Sequence, residues 1–355
     1  MTAVHLVVPD GIDDPRRPSG GNLYDRQTSR GLTSIGWSVR EHVVPGAWPQ
    51  ADAAAMAALC DVLIAVPDGG LVLVDGLIAS AAPEVITSQT ERLRIVVLVH
   101  MPLGARAAAD GLTETCAREL AALSGVAAIV TTSQWTLRWL VERYALPGER
   151  IHVAEPGVEP ADLARGTAAG GQLLCVAAVT PAKGHDVLLA ALAAVEDLHW
   201  RCACVGSLDL EPVFVDRLRR QAADSGVADR VSLVGPLVGA GLDSAYAGAD
   251  LLVLASRAET YAMVVTEALA RGLPVVATDV GGVAEALGRE ASGRRPGLLV
   301  PPANAQAFAD ALRCWLVDTS RRQLLRTAAQ QRRSTLPGWH EISLRISDVL
   351  AEVAT

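Results

Sequence analysis

Two glutamates, Glu259 and Glu267, are spaced for contact with one elongated ligand. They lie eight positions apart, which is about 12 Å if the whole segment is helical. A carboxylate pair that acts as acid and base on one bond needs a separation of roughly 5 to 9.5 Å. A helix is predicted to begin near 261–263, between the two, and backbone N–H groups at a helix amino terminus suit a diphosphate. A nucleotide sugar has this layout, with a diphosphate between a hydroxyl-rich sugar and a hydroxyl-rich ribose.

The one lysine of the chain, Lys183, is a second candidate for anion binding. The chain has 31 lysines and arginines together, and all of the others are arginines. A GC-rich coding bias would remove lysines, so the lysine that remains indicates a position where a compact, flexible ammonium is needed. It stands in the segment VTPAKGHD, which follows a predicted strand and opens a helix. The alternative is an ordinary surface lysine that remains by chance.

Two glycine pairs and one histidine also follow predicted strands. Gly20 and Gly21 come after the first strand, Gly281 and Gly282 follow a strand near the carboxyl terminus, and His100 ends a buried strand. Glycine allows a backbone to approach a ligand closely. The alternatives are ordinary tight turns for the glycines and a packed, hydrogen-bonded core residue for the histidine.

Short apolar runs that alternate with helix-length amphipathic segments must position these residues. This alternation is typical of parallel sheets with crossover helices. The strands predicted in the first half are 4–8, 37–43, 62–66, 95–99, 127–131 and 151–154. The second half has predicted strands at 172–179, 200–206, 231–234, 251–254, 274–277 and 298–300, and helices at 214–223, 305–317 and 339–353.

The predicted fold class is α/β, with two Rossmann-like, doubly wound domains facing a central cleft. A chain of 355 residues is longer than one domain usually grows, and the small, flexible segment 160–171 predicts a linker. We therefore expect an amino-terminal domain at 1–165 and a carboxy-terminal domain at 166–338. The final helix, 339–355, is expected to pack back on the first domain. In such folds ligands bind at the carboxyl ends of the strands.

Composition argues against several other classes of protein. The net charge is −8, which predicts no nucleic-acid partner. No uncharged apolar run reaches the roughly 18 residues of a membrane helix, and no signal sequence is recognised, so we expect a cytoplasmic protein. The six cysteines show no paired metal spacing, and Cys202 and Cys204 are predicted to pack as small hydrophobic residues. We predict no metal and no cofactor, and the oligomeric state is not constrained.

From about residue 126 to 316 the sequence resembles the retaining glycosyltransferase family 4, also called glycosyl transferases group 1, which has the GT-B fold. The resemblance centres on residues 255–277, ASRAETYAMVVTEALARGLPVVA, where a glutamate, seven residues and a second glutamate form the signature. It implies that Glu259 contacts donor-sugar hydroxyls and Glu267 the ribose hydroxyls. The diphosphate would meet the backbone of Tyr261, Ala262, Met263 and Val264.

The same resemblance assigns the remaining candidates to parts of a nucleotide-sugar donor. Lys183 would grip the donor phosphates, and His100 would hydrogen-bond the donor sugar near its anomeric centre without acting as a general base. The glycines would approach the donor closely and one further loop would cradle the base, with ordinary loops as the alternative; these positions are Gly20, Gly21, Gly206, Ser207, Gly281 and Gly282.

Two positions depart from the pattern of the family. Ala178 stands where an arginine usually accompanies the lysine, and Ala262 stands where relatives usually have glycine. Arg257 is either a replacement for the missing phosphate cation or a structural arginine.

The resemblance implies a retaining glycosyltransferase that moves a sugar from a nucleotide-diphosphate sugar to an unidentified acceptor hydroxyl. The acceptor would be a small molecule, glycan or lipid. The two departures leave alternatives open, namely a nucleotide-sugar-binding GT-B protein that is an epimerase or hydrolase, or one that is catalytically silent.

Overall fold

The computed structural model describes residues 3–105 and 112–355, and the chain divides into two compact units. Unit 1 comprises the residues up to Asp13, Ser19–Gly157 and Pro337–Thr355, and unit 2 comprises Asp14–Pro18 and Val158–Leu336. The main crossing from unit 1 to unit 2 therefore lies between Gly157 and Val158, eight residues before the predicted change of domain.

Unit 1 is built on a parallel sheet in which apolar strands are buried between helices. The strand order is β2-β1-β3-β4-β5-β6, so the order reverses direction between β1 and β3. The central strands β3 and β4 are buried along nearly their whole length, as expected for a parallel sheet covered on both faces. The strands are β1 (Ala3–Pro9), β2 (Ser38–Val44), β3 (Leu71–Asp75), β4 (Arg94–Val99), β5 (Ala128–Thr131) and β6 (Ile151–Val153).

Side chains satisfy the first N–H groups of several helices of unit 1. Ser19 caps α1 by accepting from Asn22 N, and Asp52 caps α2 by accepting from Ala55 N, which stabilises a helix start by about 1 kcal/mol. The helices of this unit are α1 (Gly20–Ser34), α2 (Ala53–Ala65), α3 (Gly76–Ala81), α4 (Pro83–Thr87), α5 (Leu112–Ser124), α6 (Gln134–Tyr144) and α14 (Trp339–Ala354).

The strand predicted at 62–66 is wrong, because this run is the end of helix α2. The alanine-rich segment that follows the Asp52 cap has high helix propensity, and the helix continues through the apolar residues up to Ala65. The strand that the prediction lacked is β3, five residues later. A short apolar run cannot be assigned to helix or strand from its hydrophobicity alone.

Unit 2 also contains a parallel sheet with helices between its strands, and the strand order is β12-β11-β10-β7-β8-β9. Its order reverses between β7 and β10. The strands are β7 (Gln172–Val176), β8 (Arg201–Val205), β9 (Val231–Gly235), β10 (Leu251–Leu254), β11 (Val275–Thr278) and β12 (Gly297–Val300). The helices are α7 (His185–Ala193), α8 (Pro212–Asp224), α9 (Ala240–Ala247), α10 (Met263–Ala270), α11 (Val283–Leu287), α12 (Ala305–Val317) and α13 (Thr319–Arg333). The two sheets confirm the predicted α/β class.

The segment 160–171, predicted to be a linker, is bound to unit 2. The buried carboxylate of Asp250 accepts hydrogen bonds from the Thr167 hydroxyl at 2.6 Å and from Gln172 N at 2.8 Å. The indole of Trp315 donates to the Gly170 carbonyl at 2.7 Å. A glycine-rich composition predicted flexibility here, but buried polar partners fix the segment.

Within the part of the chain that the structure describes, none of the helices has the length and apolar character needed to cross a membrane.

The final helix, α14, packs against α1 within unit 1. The indole of Trp37 donates to Ser347 Oγ at 2.9 Å, and the rings of Tyr24 and Trp339 meet edge to face with centroids 5.4 Å apart. The helices approach closely at Gly31, where an added Cβ would lie 1.8 Å from Ser343 Oγ.

We predict that Gly31→Ala lowers the free energy of unfolding by about 1–3 kcal/mol, because it overpacks the contact between α1 and α14. Urea unfolding measures the change. Gly125→Ala is the matched control, since its new methyl would lie 3.5 Å from Thr90 Cγ2, an ordinary contact distance. Adding Ser343→Gly should recover part of the loss. Equal stability of the Gly31 and Gly125 variants would contradict the packing.

Candidate functional site

The candidate site of unit 2 forms where the strand order reverses. Lys183 ends a short 3-10 turn, Pro181–Lys183, after β7, and Glu259 lies in the loop between β10 and α10. Since β7 and β10 are parallel neighbours, the loops at their carboxyl ends meet, which is where open α/β sheets bind ligands. Gly184, with φ of +66°, allows this approach, because an added Cβ would lie 2.0 Å from the Ala255 carbonyl oxygen.

The central contact of the site is an ion pair between Lys183 and Glu259. The ammonium Nζ lies 2.7 Å from Glu259 Oε1, and the hydroxyl of Ser256 donates to the same oxygen at 2.7 Å. Glu259 is 7% exposed and Lys183 is 26% exposed. The other oxygen, Oε2, takes part in no hydrogen bond among the described residues, and an ammonium has three donors. The pair therefore keeps both an acceptor and donors for a ligand.

A third loop, after β11, fixes the backbone of Glu259. Gly281 has φ of +55°, and an added Cβ would lie 1.5 Å from the Glu259 carbonyl oxygen. The hydroxyl of Thr278 donates to the Ser256 carbonyl at 2.5 Å. Gly282 follows as the residue that precedes α11. The glycine pair predicted from the sequence is thus brought together with Glu259 in one loop cluster.

Helix α10 begins next to Glu259 with an amino terminus that no side chain among the described residues caps. Ala262 precedes the helix with φ of 70° and ψ of 70°, the left-handed region that costs an alanine roughly 1–2 kcal/mol. Tyr261 and Ala262 are buried, whereas Met263 and Val264 in the first turn are half-buried. The first-turn N–H groups and the helix dipole make this terminus suitable for an anion.

Glu267 lies one turn further along α10 and is not a solvated surface carboxylate. Its Oε2 accepts from the hydroxyl of Tyr246 at 2.8 Å. Burial raises the pKa of Glu267, and the bond from Tyr246 acts in the opposite direction. The guanidinium of Arg271 lies over the Tyr246 ring, 4.5 Å from its centroid. No pattern in the sequence indicated Tyr246, because its role depends on the packing of α9 against α10.

Arg257 is bound within unit 2 as a structural arginine would be. Its guanidinium makes two 2.8 Å hydrogen bonds to the carboxylate of Asp186 and one of 2.7 Å to the Pro181 carbonyl. Of the two interpretations of Arg257, this geometry favours the structural one. Ala178, at the position of the missing arginine, is half-buried in the loop after β7.

Gly206 and Ser207 follow β8 and pack against the loop after β7. An added Cβ at Gly206 would lie 2.0 Å from the Ala177 carbonyl oxygen, and Val179 N donates to the Ser207 carbonyl at 2.9 Å. The hydroxyl of Ser207 is buried and has no hydrogen-bond partner among the described residues. A buried polar group without a partner is unusual in proteins, so this hydroxyl is a candidate ligand contact.

Unit 1 contains a separate polar cluster around His100, which follows β4. Nε2 of His100 lies 2.7 Å from Asp25 Oδ1 and 3.4 Å from Asp75 Oδ2. Gly21, in the first turn of α1, lies against the ring, since an added Cβ would be 3.3 Å from His100 Cδ2. Gly20 is exposed at the start of the same helix. The cluster brings His100 together with the predicted glycine pair.

The two aspartates were missed in the sequence analysis. Asp75 ends β3, the strand that was not predicted, so its position at the carboxyl edge of the sheet was hidden. Asp25 lies four residues after Gly21 on α1, and this spacing places both residues on one helix face. That spacing is the signal that could have linked Asp25 to the glycine pair.

Two clusters among the residues that the structure describes contain residue types that bind metals. One is the Asp25–Asp75–His100 cluster, in which His100 Nε2 and Asp25 Oδ1 are joined by a direct hydrogen bond of 2.7 Å. The other comprises Cys175, His185 and Cys204, with Cys175 Sγ 3.7 Å from His185 Nε2.

Metal-ligating histidines almost always use their second nitrogen as a donor, yet His185 Nδ1 has no hydrogen-bond partner among the described residues. Burial lowers the pKa of His185, which is consistent with a neutral ring. We interpret the thiols as packed core residues.

Residues 170–318 match the family model described as "Glycosyl transferases group 1". The D-inositol 3-phosphate glycosyltransferase of Jonesia denitrificans is 32% identical over 225 residues, which cover 58% of this chain and 52% of that protein. The protein of the same description from Acidothermus cellulolyticus is 34% identical over 221 residues, covering 56% and 48%. The chain thus spans about half the length of the curated relatives it matches.

Two solved structures are similar over the whole chain. Sucrose-phosphate synthase from Thermosynechococcus elongatus has a TM-score of 0.81 at 21% identity, covering 99% of both chains. Anabaena Alr3699/HepE, in complex with UDP-glucose, has a TM-score of 0.79 at 18% identity, covering 99% of this chain and 100% of that chain. The chain therefore has the GT-B fold, and its residues 170–318 are similar to the glycosyl transferases group 1 family.

Proposed function

We propose that the chain is a family-4-like glycosyltransferase that moves a sugar from a nucleotide-diphosphate sugar to an acceptor hydroxyl and retains the anomeric configuration. The observation that carries the proposal is the Lys183–Glu259 ion pair beside the uncapped amino terminus of α10. A cation and N–H donors suit the diphosphate, and a carboxylate suits the hydroxyls of the sugar. All of these groups belong to unit 2.

In the proposed reaction the protein stabilises the charge that grows on the leaving diphosphate. The bond from the anomeric carbon to the diphosphate oxygen breaks, and the acceptor oxygen bonds to that carbon on the same face. The acceptor proton passes to the leaving phosphate. Lys183 and the first N–H groups of α10, at Met263 and Val264, face the developing charge. Such pre-positioned donors are often the largest contribution to catalysis.

The remaining contacts of unit 2 would hold the nucleoside. Glu267 would accept hydrogen bonds from the ribose hydroxyls, with Tyr246 fixing the carboxylate through its 2.8 Å bond. The loop of Gly206 and Ser207 would cradle the base, where the buried Ser207 hydroxyl lacks a partner among the described residues. This proposal includes no metal and no organic cofactor. The nucleotide sugar is a substrate and is not counted as a cofactor.

The acceptor class is suggested by the curated relatives, which are described as D-inositol 3-phosphate glycosyltransferases. An inositol phosphate is therefore the first acceptor to assay, with UDP-, GDP- and ADP-sugars as donors. A glycosylated product together with free nucleoside diphosphate supports transfer. Release of free sugar and nucleoside diphosphate without an acceptor would indicate a hydrolase, whereas donor binding without turnover would indicate a silent protein.

The silent alternative is favoured by two observations at the diphosphate end of the site. Arg257 is bound to Asp186, so it does not replace the cation that is missing at Ala178. The methyl group of Ala262 also lies next to the first turn of α10. Both features weaken the binding expected for a diphosphate, and measured turnover decides between the two functions.

We predict that Lys183→Arg lowers kcat/KM at least about tenfold, a loss of about 1.4 kcal/mol in transition-state stabilisation. The longer, planar guanidinium keeps the charge but cannot take the place of a compact ammonium between Glu259 and a phosphate. Steady-state assays with the best donor of the panel measure the effect.

The matched control for this change is Arg219→Lys, the reverse exchange at an exposed pair with Asp216, which should leave kcat/KM unchanged. Full activity of the Lys183→Arg variant would show that the solitary lysine reflects codon bias alone.

We predict that Ala262→Gly tightens binding of a nucleoside diphosphate, because it removes the methyl group beside the first N–H groups of α10. The left-handed backbone costs alanine roughly 1–2 kcal/mol, and glycine loses about 0.5–1 kcal/mol through chain entropy. The free energy of unfolding should therefore stay level or rise by up to about 1.5 kcal/mol. Titration calorimetry with UDP, GDP and ADP measures the affinity.

Ala145→Gly is the control for this variant, since Ala145 has φ of 52° at the end of α6 in unit 1. It should change stability similarly and leave the affinity alone. Equal affinity of the two variants for all three nucleotides would contradict the effect assigned to the Ala262 methyl group.

A further inference from the structure

We propose that Asp25 and Asp75 are positioning residues that hold His100 as a protonated imidazolium, so that its Nδ1–H donates to an oxygen of the ligand. The identity of that ligand rests on the proposed function, but the protonation state of His100 does not. Asp25 and Asp75 would then be functional residues of unit 1. A protonated His100 would not be the base that deprotonates the acceptor.

Two carboxylates converge on one nitrogen of the ring. Asp25 Oδ1 is 2.7 Å and Asp75 Oδ2 is 3.4 Å from Nε2 of His100. Burial raises the pKa of Asp75, but hydrogen bonds and charge, chiefly those of His100, outweigh it and keep the pKa below its ordinary value. An ionised carboxylate only accepts hydrogen bonds, so Nε2 carries the proton that faces Asp75. Both bonds use Nε2, which leaves Nδ1 as the nitrogen that can meet a ligand.

Asp75 is fixed by its backbone contacts, and Asp25 is buried beside the ring. Asp75 Oδ1 accepts from Leu77 N at 2.6 Å and from Ile78 N at 3.4 Å, as the cap of α3. Asp25 Oδ2 is buried with no hydrogen-bond partner among the described residues. The charge of Asp25 therefore depends on His100 for compensation, because a buried charge without a partner is costly.

The ring itself is held on its other sides. The position of a Cβ on Gly21 lies 3.3 Å from His100 Cδ2, so a larger residue there would press on the imidazole. The Tyr24 ring meets it edge to face with centroids 5.3 Å apart. The backbone carbonyl of His100 accepts from the Thr132 hydroxyl at 3.3 Å. These contacts fix the direction in which Nδ1 can donate.

The electrostatic balance favours the protonated ring. Burial alone lowers the pKa of His100, but the charges and hydrogen bonds of Asp25 and Asp75 outweigh it and raise the pKa to about 10. Burial raises the pKa of Asp25 to about 7; the charge of His100 opposes this rise and the neighbouring carboxylate of Asp75 adds to it. The titratable groups that face the ring are Asp25 and Tyr24 on α1 and Asp75 at the end of β3. His100 is thus a donor at neutral pH and loses that role as the pH rises toward 10.

The direct test follows the pKa of His100 by NMR in the full chain, with histidine labelled at Cε1. The chain has seven histidines, and the signal absent from a His100→Gln variant identifies this one. We expect a pKa well above 8 in the wild type. In Asp25→Asn and Asp75→Asn the pKa should fall toward the ordinary value of about 6.5. The Asp75→Asn variant keeps a side-chain oxygen that can cap α3.

Asp52→Asn is the matched control, because Asp52 caps α2 and does not belong to the His100 cluster, so this variant should leave the pKa unchanged. A wild-type pKa below about 7.5 overturns the inference even if the Asp25→Asn and Asp75→Asn substitutions prevent folding. A pKa that stays high in both folded variants overturns it as well.

The activity readout separates this inference from the proposed function. In the wild type, turnover should fall as the pH rises toward 10, and in Asp75→Asn this loss should begin at least one pH unit lower. KM for the donor should change less than kcat. Turnover that rises as His100 loses its proton would identify a general base and overturn the inference. If no donor and acceptor react, the proposed function fails, and the NMR titration still decides the state of His100.

Discussion

The candidate site of unit 2 depends on one ammonium and one carboxylate that meet across two loops. Lys183 follows β7 and Glu259 follows β10, and they meet because these strands are neighbours although the segments are distant in sequence. Glycines at 184 and 281 permit the contact, since a side chain at either would overlap a backbone carbonyl. A half-buried ion pair of this kind contributes little net stability, so its geometry is better explained by binding than by folding.

The two units place their polar groups according to the same rule. In the sheet of unit 1 the strand order reverses between β1 and β3; Asp75 ends β3, and Gly20 and Gly21 begin α1, the helix that comes after β1. In the sheet of unit 2 the strand order reverses between β7 and β10, and Lys183 and Glu259 lie in the loops after these two strands. Loops on either side of such a point diverge and leave the strand ends accessible. Within each unit the charged residues at this point pair with each other: His100 with Asp25 and Asp75 in unit 1, and Lys183 with Glu259 in unit 2. Each unit therefore presents polar groups that could bind a polar ligand.

Most of the framework could be predicted from the sequence. Eleven of the twelve strands in the described part of the chain overlap predicted runs, and helix α12 has the predicted bounds. A parallel sheet requires continuous apolar runs separated by amphipathic helices, and this pattern is visible in the sequence. The loops of Lys183 and Glu259 were identified from spacing and from the uniqueness of the lysine. The error at 62–66 arose because the same apolar run suits a helix or a strand.

Features that depend on tertiary contacts were not predictable. Asp186 on α7 pairs with Arg257, which lies in the loop after β10. Tyr246 reaches Glu267 from α9. Asp25 reaches His100 from α1. None of these partners is marked by local spacing to the residue it holds. The left-handed conformation of Ala262 was similarly hidden, although the departure from glycine at that position was recognised.

The most direct measurement of the role of the Lys183–Glu259 pair is a crystal structure of the full chain with the nucleoside diphosphate that gives the largest thermal shift. We expect a phosphate oxygen within hydrogen-bond distance of both Lys183 Nζ and the backbone N–H of Met263 or Val264. A nucleotide bound elsewhere, with the Lys183–Glu259 pair unchanged and no phosphate at the start of α10, would contradict this role.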